Sequence, residues 1–322
     1  MTRLICLCLW ATASLSLMAS CSEASLPDPI PEARAKAPQL PPPVVELIDE
    51  PTEVIAPPVE SFAGRGFDGP VAAIHDPKSD VYLIASLPQD GQPAFITSLL
   101  PDGVVDKVRW IDGSLPEVPL NQPTAMALTR KRLVISDGQH LRFFERENGV
   151  YRGSVFIPSA YRLSDLAAGS RGELFVTDRG VKGEGRFGTV FRVSRRGKVS
   201  AVAHSSVLGR PMGVSTLGTR AWIAAQEPHA FYGLAPDGGL VRGAQPPLDL
   251  ELSGLLIAGD HVVLTSLEDR ALYAGPIEGP FVPLSDAVDV SGDVGWDASR
   301  GRILVPCAEG DRLELHRLPT SS

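Results

Sequence analysis

The chain has 322 residues, a formal net charge of −8 and 43% hydrophobic residues. Its acidic balance, without a basic run or an aromatic-plus-basic stripe, speaks against nucleic acid and anionic lipid headgroups as partners. Of its four cysteines, Cys6, Cys8 and Cys21 lie near the N-terminus, so Cys307 is left without an intrachain disulfide partner in the body.

In chain order, MTRL with Arg3, an apolar run over residues 5–17 and the small residues before Cys21 read as an export signal. The run is shorter than the roughly 20 residues a membrane-spanning helix needs. Ala19-Ser20-Cys21 resembles the lipobox of bacterial lipoproteins, with Met18 where that family usually has Leu. The resemblance implies removal of residues 1–20 and a lipid anchor on Cys21; the alternative is a plain secretory signal that releases the protein. Ser22 implies, in a Gram-negative envelope, the periplasmic side of the outer membrane. Residues 21–60 are rich in Pro, with acidic residues and little apolar bulk, and predict an extended tether rather than a domain.

From residue 61 to 322 the apolar signal is short and alternating, in runs such as VYLIAS, RLVIS, ELFVTD, AWIAA and HVVLTS bounded by Gly, Pro, Asp or Ser. No stretch holds a helical period. The runs recur as a turn, a strand, a short loop, a more apolar strand and an outer strand. The repeat is roughly 40–50 residues, the range of propeller blades. Six copies are visible, from PVAAIHDPKSDVYLIAS to SGDVGWDASRGRILVPCAEGDRLELHRL. The expected fold is an all-β, six-bladed β-propeller, with an irregular β-sandwich as the alternative. The segment Phe62–Phe67 is placed to close the ring. Cys307, in RILVPCAEG, reads as a buried structural thiol.

The phrases VRWIDG, LNQPTAMAL, LSDLAAGSRGELFVTD, RPMGVS and GDVGWDASRGRILVPCAEGDRLELHRL resemble successive blades of the gluconolactonase/regucalcin-like propellers, relatives of NHL-type propellers. Their order over the whole body, more than any single motif, carries the resemblance. It implies a divalent cation in the central channel, held by a Glu of the first blade and by Asn and Asp at the starts of inner strands. Here the first-blade position falls at Gly69-Pro70, without a carboxylate. Ser164 stands for an Asn, though Asp165 follows; Met212 stands for the Asn of a Pro-Asn-Gly turn; Ser253 stands for an Asp. A thioether does not suit a hard cation, and a hydroxyl is a weak substitute for a carboxylate. The only asparagines, Asn121 and Asn148, lie elsewhere. The channel candidates are therefore Thr124, Asp165, Met212, Ser253 and Asp293, with no metal, cofactor or catalytic set expected.

Asp165 and Asp293 could bind a cation or act as acid and base; the blander reading has each capping its own turn through backbone N–H groups. Asp137 and Asp178 are expected to do that at the opposite strand ends. GEGRFG over residues 183–188 matches a nucleotide loop in letters, but a strand follows where a phosphate site needs a helix. Ser215 lacks the second Gly of a nucleophile elbow. The six histidines have no zinc spacing, and most are expected in exposed turns and strands.

The sequence thus favours a tethered, non-catalytic propeller, monomeric in its folded part, that offers its channel or faces to an envelope protein, glycan or small ligand. The rival is a metal-dependent lactonase or esterase with a rearranged site drawing on Asp165, Asp293, Glu227 or Glu309. A third reading is a subunit of an envelope assembly.

Overall fold

The computed structural model describes residues 60–181, 187–227, 229–235, 238–246, 251–267, 269–285, 288–290 and 292–318. The signal, the lipid site at Cys21, the tether before Glu60 and most of the GEGRFG loop lie outside the described residues. Among those residues every regular element is a strand.

The strands form six four-stranded antiparallel blades. After β1 (Glu60–Ala63), blade 1 comprises β2 (Pro70–Asp76), β3 (Val81–Ser86), β4 (Phe95–Leu99) and β5 (Val105–Asp112). Blade 2 comprises β6 (Pro123–Leu128), β7 (Arg132–Asp137), β8 (His140–Glu145) and β9 (Tyr151–Phe156). Blade 3 comprises β10 (Leu163–Ala168), β11 (Leu174–Asp178), β12 (Thr189–Val193) and β13 (Val199–His204). Blade 4 comprises β14 (Pro211–Leu217), β15 (Arg220–Ala225), β16 (Ala230–Leu234) and β17 (Leu240–Arg242). Blade 5 comprises β18 (Leu252–Ala258), β19 (His261–Ser266), β20 (Ala271–Pro276) and β21 (Val282–Ser285). Blade 6 comprises β22 (Gly295–Asp297), β23 (Arg302–Cys307) and β24 (Arg312–Arg317), and β1 is its outermost strand.

The ring closes through this last arrangement. β1 runs antiparallel to β24, from Glu60↔Leu315 to Ala63↔Arg312, and stitches the start of the body to its end. The expected closing segment is displaced: pairing begins at Glu60 and stops at Ala63, while Phe67 instead packs between blades 6 and 1 beside Tyr82 and Leu313. Closure ties the last blade to the start of the body, and each blade keeps only a short outer edge.

The core is shared out between neighbouring blades. Each of the six interfaces holds an apolar cluster, such as Leu83, Ile96 and Leu133 between blades 1 and 2, or Val176 and Phe191 between blades 2 and 3. The middle strands are therefore covered on both faces. VYLIAS, FITSL and LFVTD are buried at every residue, which is why they read as nearly unbroken apolar runs. The outer strands β5 and β9 alternate more polar residues and are half exposed.

Two of the six histidines lie in the interior. His75 and His316 are buried, not exposed: His75 bonds Asp80 across 3.0 Å and His316 approaches Glu314 at 3.2 Å. Cys307 is a buried free thiol, as expected, and burial pushes it up to about 12.

Candidate functional site

The innermost strands share one local device. In blades 1 to 5 the register slips near the strand start, between Pro70 and Ala72, Pro123 and Ala125, Leu163 and Leu166, Pro211 and Gly213, and Leu252 and Gly254. Such a bulge re-aims one side chain. Val71, Thr124, Ser164, Met212 and Ser253 are these extra residues, and all five line a cavity of about 180 Å³ at the channel mouth. Asp165, Gly292 and Asp293 line it as well. The five channel candidates are thus brought together, Ser164 with them. In blade 1 the extra residue is Val71, next to the Gly69-Pro70 turn, and it carries no carboxylate.

Next in each strand come Ala72, Ala125, Asp165, Gly213 and Gly254, and Asp293 bridges Ala72 in the parallel sense. Backbones approach closely here. A Cβ on Gly213 would collide with Leu255, and one on Gly292 with the Val71 carbonyl. Against this small-residue ring, the carboxyls of blades 3 and 6 stand out.

Each accepts from the next residue's N–H in its own segment and also from another blade. Asp165 Oδ2 accepts a 2.6 Å hydrogen bond from the Val214 N–H of blade 4, and its Oδ1 accepts one of 2.6 Å from Leu166 N–H. Asp293 Oδ2 accepts a 3.1 Å bond from the Met126 N–H of blade 2. Burial pushes the Asp165 carboxyl up to about 7, against the pull of its two N–H donors. Burial and the charge of Asp165 together raise Asp293 well above the carboxylate range.

The hydroxyls are engaged too. Thr124 Oγ1 lies 2.7 Å from Ser136 Oγ and donates to the Leu163 carbonyl at 3.1 Å; Ser253 Oγ lies 2.7 Å from Thr265 Oγ1. Thr177, opposite the blade 3 bulge, accepts from Asp165 N–H at 3.0 Å and donates to the Met212 carbonyl at 3.2 Å. The acids of the rival reading sit apart. Glu227 approaches Arg210 at 4.0 Å and Glu309 pairs with Arg270 at 3.2 Å, and neither lines the cavity. Ser215 Oγ accepts from Ile257 N–H.

Asp137 and Asp178 cap backbone as expected, but at the other end of the blade. Pairing sets Pro123 against Asp137 and Leu163 against Asp178, so both lie beside the starts of inner strands. Asp137 Oδ1 accepts from Asn121 and Gln122 N–H, and Asp178 from Tyr161 and Arg162 N–H.

Sequence reasoning missed Arg162 and Arg179, which also line the cavity. The available signal was their place, one just before β10 and the other just after β11.

The resemblance implies a divalent cation, and these residues do not fit one. The extra residues of blades 1 to 5 offer one valine, three hydroxyls and one thioether. Both Asp165 oxygens are already occupied, and two arginines line the same cavity. Among the described residues no three His, Cys, Asp or Glu side chains are grouped so as to hold a metal ion.

Fold and site together define a closed six-bladed β-propeller with a small, carboxyl-floored and arginine-lined channel mouth. No family model matches the sequence, and no curated protein matches it. Solved structures do match in fold. A structural-genomics target with a provisional gluconolactonase assignment superposes with a TM-score of 0.62 at 13% identity, over 80% of this chain and 92% of the other. A gluconolactonase from Xanthomonas campestris gives 0.59 at 15% identity, over 81% and 89%. Virginiamycin B lyase from Staphylococcus aureus gives 0.53 at 11%, over 81% and 99%. At these identities the likeness carries the gluconolactonase-type propeller fold and not an activity.

Proposed function

We propose that this chain is a binding propeller of the bacterial cell envelope, anchored through a lipid on Cys21, whose channel takes a ligand without a hydrolytic metal centre. The observation that carries the reading is Asp165. It directly follows Ser164, one of the implied ligand positions, yet each of its oxygens already accepts an N–H bond and burial favours its protonated form. A hard cation needs about six to eight oxygens. The partner is an envelope protein, a glycan or a small ligand; nucleic acid is disfavoured by the acidic chain. The rival, a metal-dependent lactonase or esterase, draws its support from the names of two fold neighbours.

The test is the melting temperature of the purified protein with EDTA and with millimolar calcium, magnesium, manganese or zinc. A cation at about 100 times its dissociation constant would add roughly 2.7 kcal/mol. The binding reading expects no cation-specific rise. A rise that disappears in Asp165→Ala would overturn it in favour of the hydrolase. The anchor is tested separately: detergent-phase partitioning should be lost in Cys21→Ser.

A further inference from the structure

We propose that the channel mouth binds a small organic anion, its charged head held by Arg162 and Arg179 and its apolar body seated against Val71, Leu87 and Met212. The proposal rests on reading the channel as a ligand site rather than a metal centre, and it names the class of ligand.

All five residues line the one cavity of about 180 Å³. Arg162 immediately precedes β10 and Arg179 immediately follows β11, strand ends that the Leu163↔Asp178 pairing sets side by side. Among the described residues, neither guanidinium has a hydrogen-bond or ion-pair partner of its own. Each presents five donors in a planar fork, and both are only partly exposed. Like charge accumulates here: burial first, then the charges of Arg162 and Arg210, hold the Arg179 guanidinium below its ordinary proton affinity. Asp178, the carboxylate beside them, already accepts from Tyr161 N–H at 3.0 Å, Arg162 N–H at 3.0 Å and Gly180 N–H at 3.3 Å. Two partly buried, unpartnered guanidiniums are complemented by a group with two or more anionic oxygens, the match that carboxylates and phosphate monoesters make.

The rest of the cavity fits the same ligand. Its floor carries Asp165 and Asp293, and burial raises both carboxyls, so they repel an anion less in mildly acidic solution than above pH 7. Apolar side chains face the body of the guest. Cavities of about 150 Å³ in other proteins accept a benzene-sized molecule, which sets the scale: a ring or short chain with one charged head.

The experiment titrates the purified full chain calorimetrically with benzoate and phenyl phosphate, with benzamide as the uncharged counterpart of benzoate and inorganic phosphate as the head alone. Benzoate or phenyl phosphate should bind at about 1 mM or tighter, and benzamide at least about tenfold more weakly. The stronger of the two anions assigns the head as carboxylate or phosphate. The double variant Arg162→Gln/Arg179→Gln should weaken binding by about tenfold or more while keeping its melting temperature, since neither side chain holds another group in place. Equal binding of benzoate and benzamide, undiminished binding by the double variant, a marked fall in its melting temperature, or no binding of either anion would overturn the proposal. Inorganic phosphate binding as tightly as phenyl phosphate would overturn the part assigned to the apolar body. Failure here without a cation-dependent melting shift sinks only the anion assignment; such a shift, lost in Asp165→Ala, sinks the binding reading beneath it.

Discussion

The Tyr82 hydroxyl of blade 1 donates a 2.8 Å hydrogen bond to Asp297 Oδ2 of blade 6, with both residues fully buried. This is the seam where the ring closes, beside the β1–β24 pairing and the apolar cluster of blades 6 and 1. The seam is also polar. His75 Nδ1 lies 3.3 Å from Asp297 Oδ1, and the Arg300 guanidinium contacts Asp297 at 3.0 Å and Asp80 at 2.7 Å. Burial works to raise the Asp297 carboxyl, but hydrogen bonds from Tyr82 and Arg300 outweigh it and hold the group below its usual range.

Removing that hydroxyl in Tyr82→Phe takes one donor from a buried carboxylate. Hydrogen bonds to charged groups contribute about 1.5–3 kcal/mol, and the loss of unfolding free energy should fall in that range. Urea denaturation followed by tryptophan fluorescence measures it. A change within error would mean that the seam is held by apolar packing alone.

The raised carboxyls of the channel make stability depend on pH in a stated direction. Asp165 and Asp293 hold their protons in the native state above the pH at which the unfolded chain releases them. Their contribution is therefore fully present below about pH 4 and is lost as pH rises through the folded values, by at most about 1.4 kcal/mol per pH unit for each carboxyl. The charged and titratable groups sharing their cavities are Arg162 and Arg179 on one face and His75 and Arg146 on the other. Asp165→Asn removes one titration and the charge that raises the other. Its melting temperature should be lower than wild type at pH 5 but should fall less between pH 5 and pH 8. Parallel pH profiles for the two proteins would refute the coupling.

Gly213 allows the inner strands of blades 4 and 5 to approach. In Gly213→Ala the new Cβ would meet the Leu255 backbone nitrogen and Cβ, neither of which can rotate away. Overpacking of this kind costs about 1–3 kcal/mol, and calorimetry should register it as a lower melting temperature. Gly259→Ala, with open space around its Cβ but a φ of +64°, separates crowding from backbone strain: crowding predicts the larger loss at Gly213.

The sequence by itself determined the blade count, the all-β class and the ring of channel positions. Short strands buried on both faces carry their signal locally, in runs such as VYLIAS and LFVTD, and a repeated unit states it six times over. Thr124, Asp165, Met212, Ser253 and Asp293 were legible because each sits at the start of such a unit. Only the tertiary structure decided what those residues do. The bulge that turns Val71 into the channel depends on pairing with the next strand, which the local pattern does not encode. The aspartates looked like caps of their own turns; each does accept from its neighbour's N–H, but Asp165 also binds Val214 and Asp293 also binds Met126, partners 49 and 167 residues away. The charge of the mouth was hidden for the same reason. A chain of net charge −8 has no basic run, but Arg162 and Arg179 are separated along it and meet where antiparallel pairing brings strand ends together. Coulomb interaction follows distance in space, and that distance is set here by the pairing of β10 with β11.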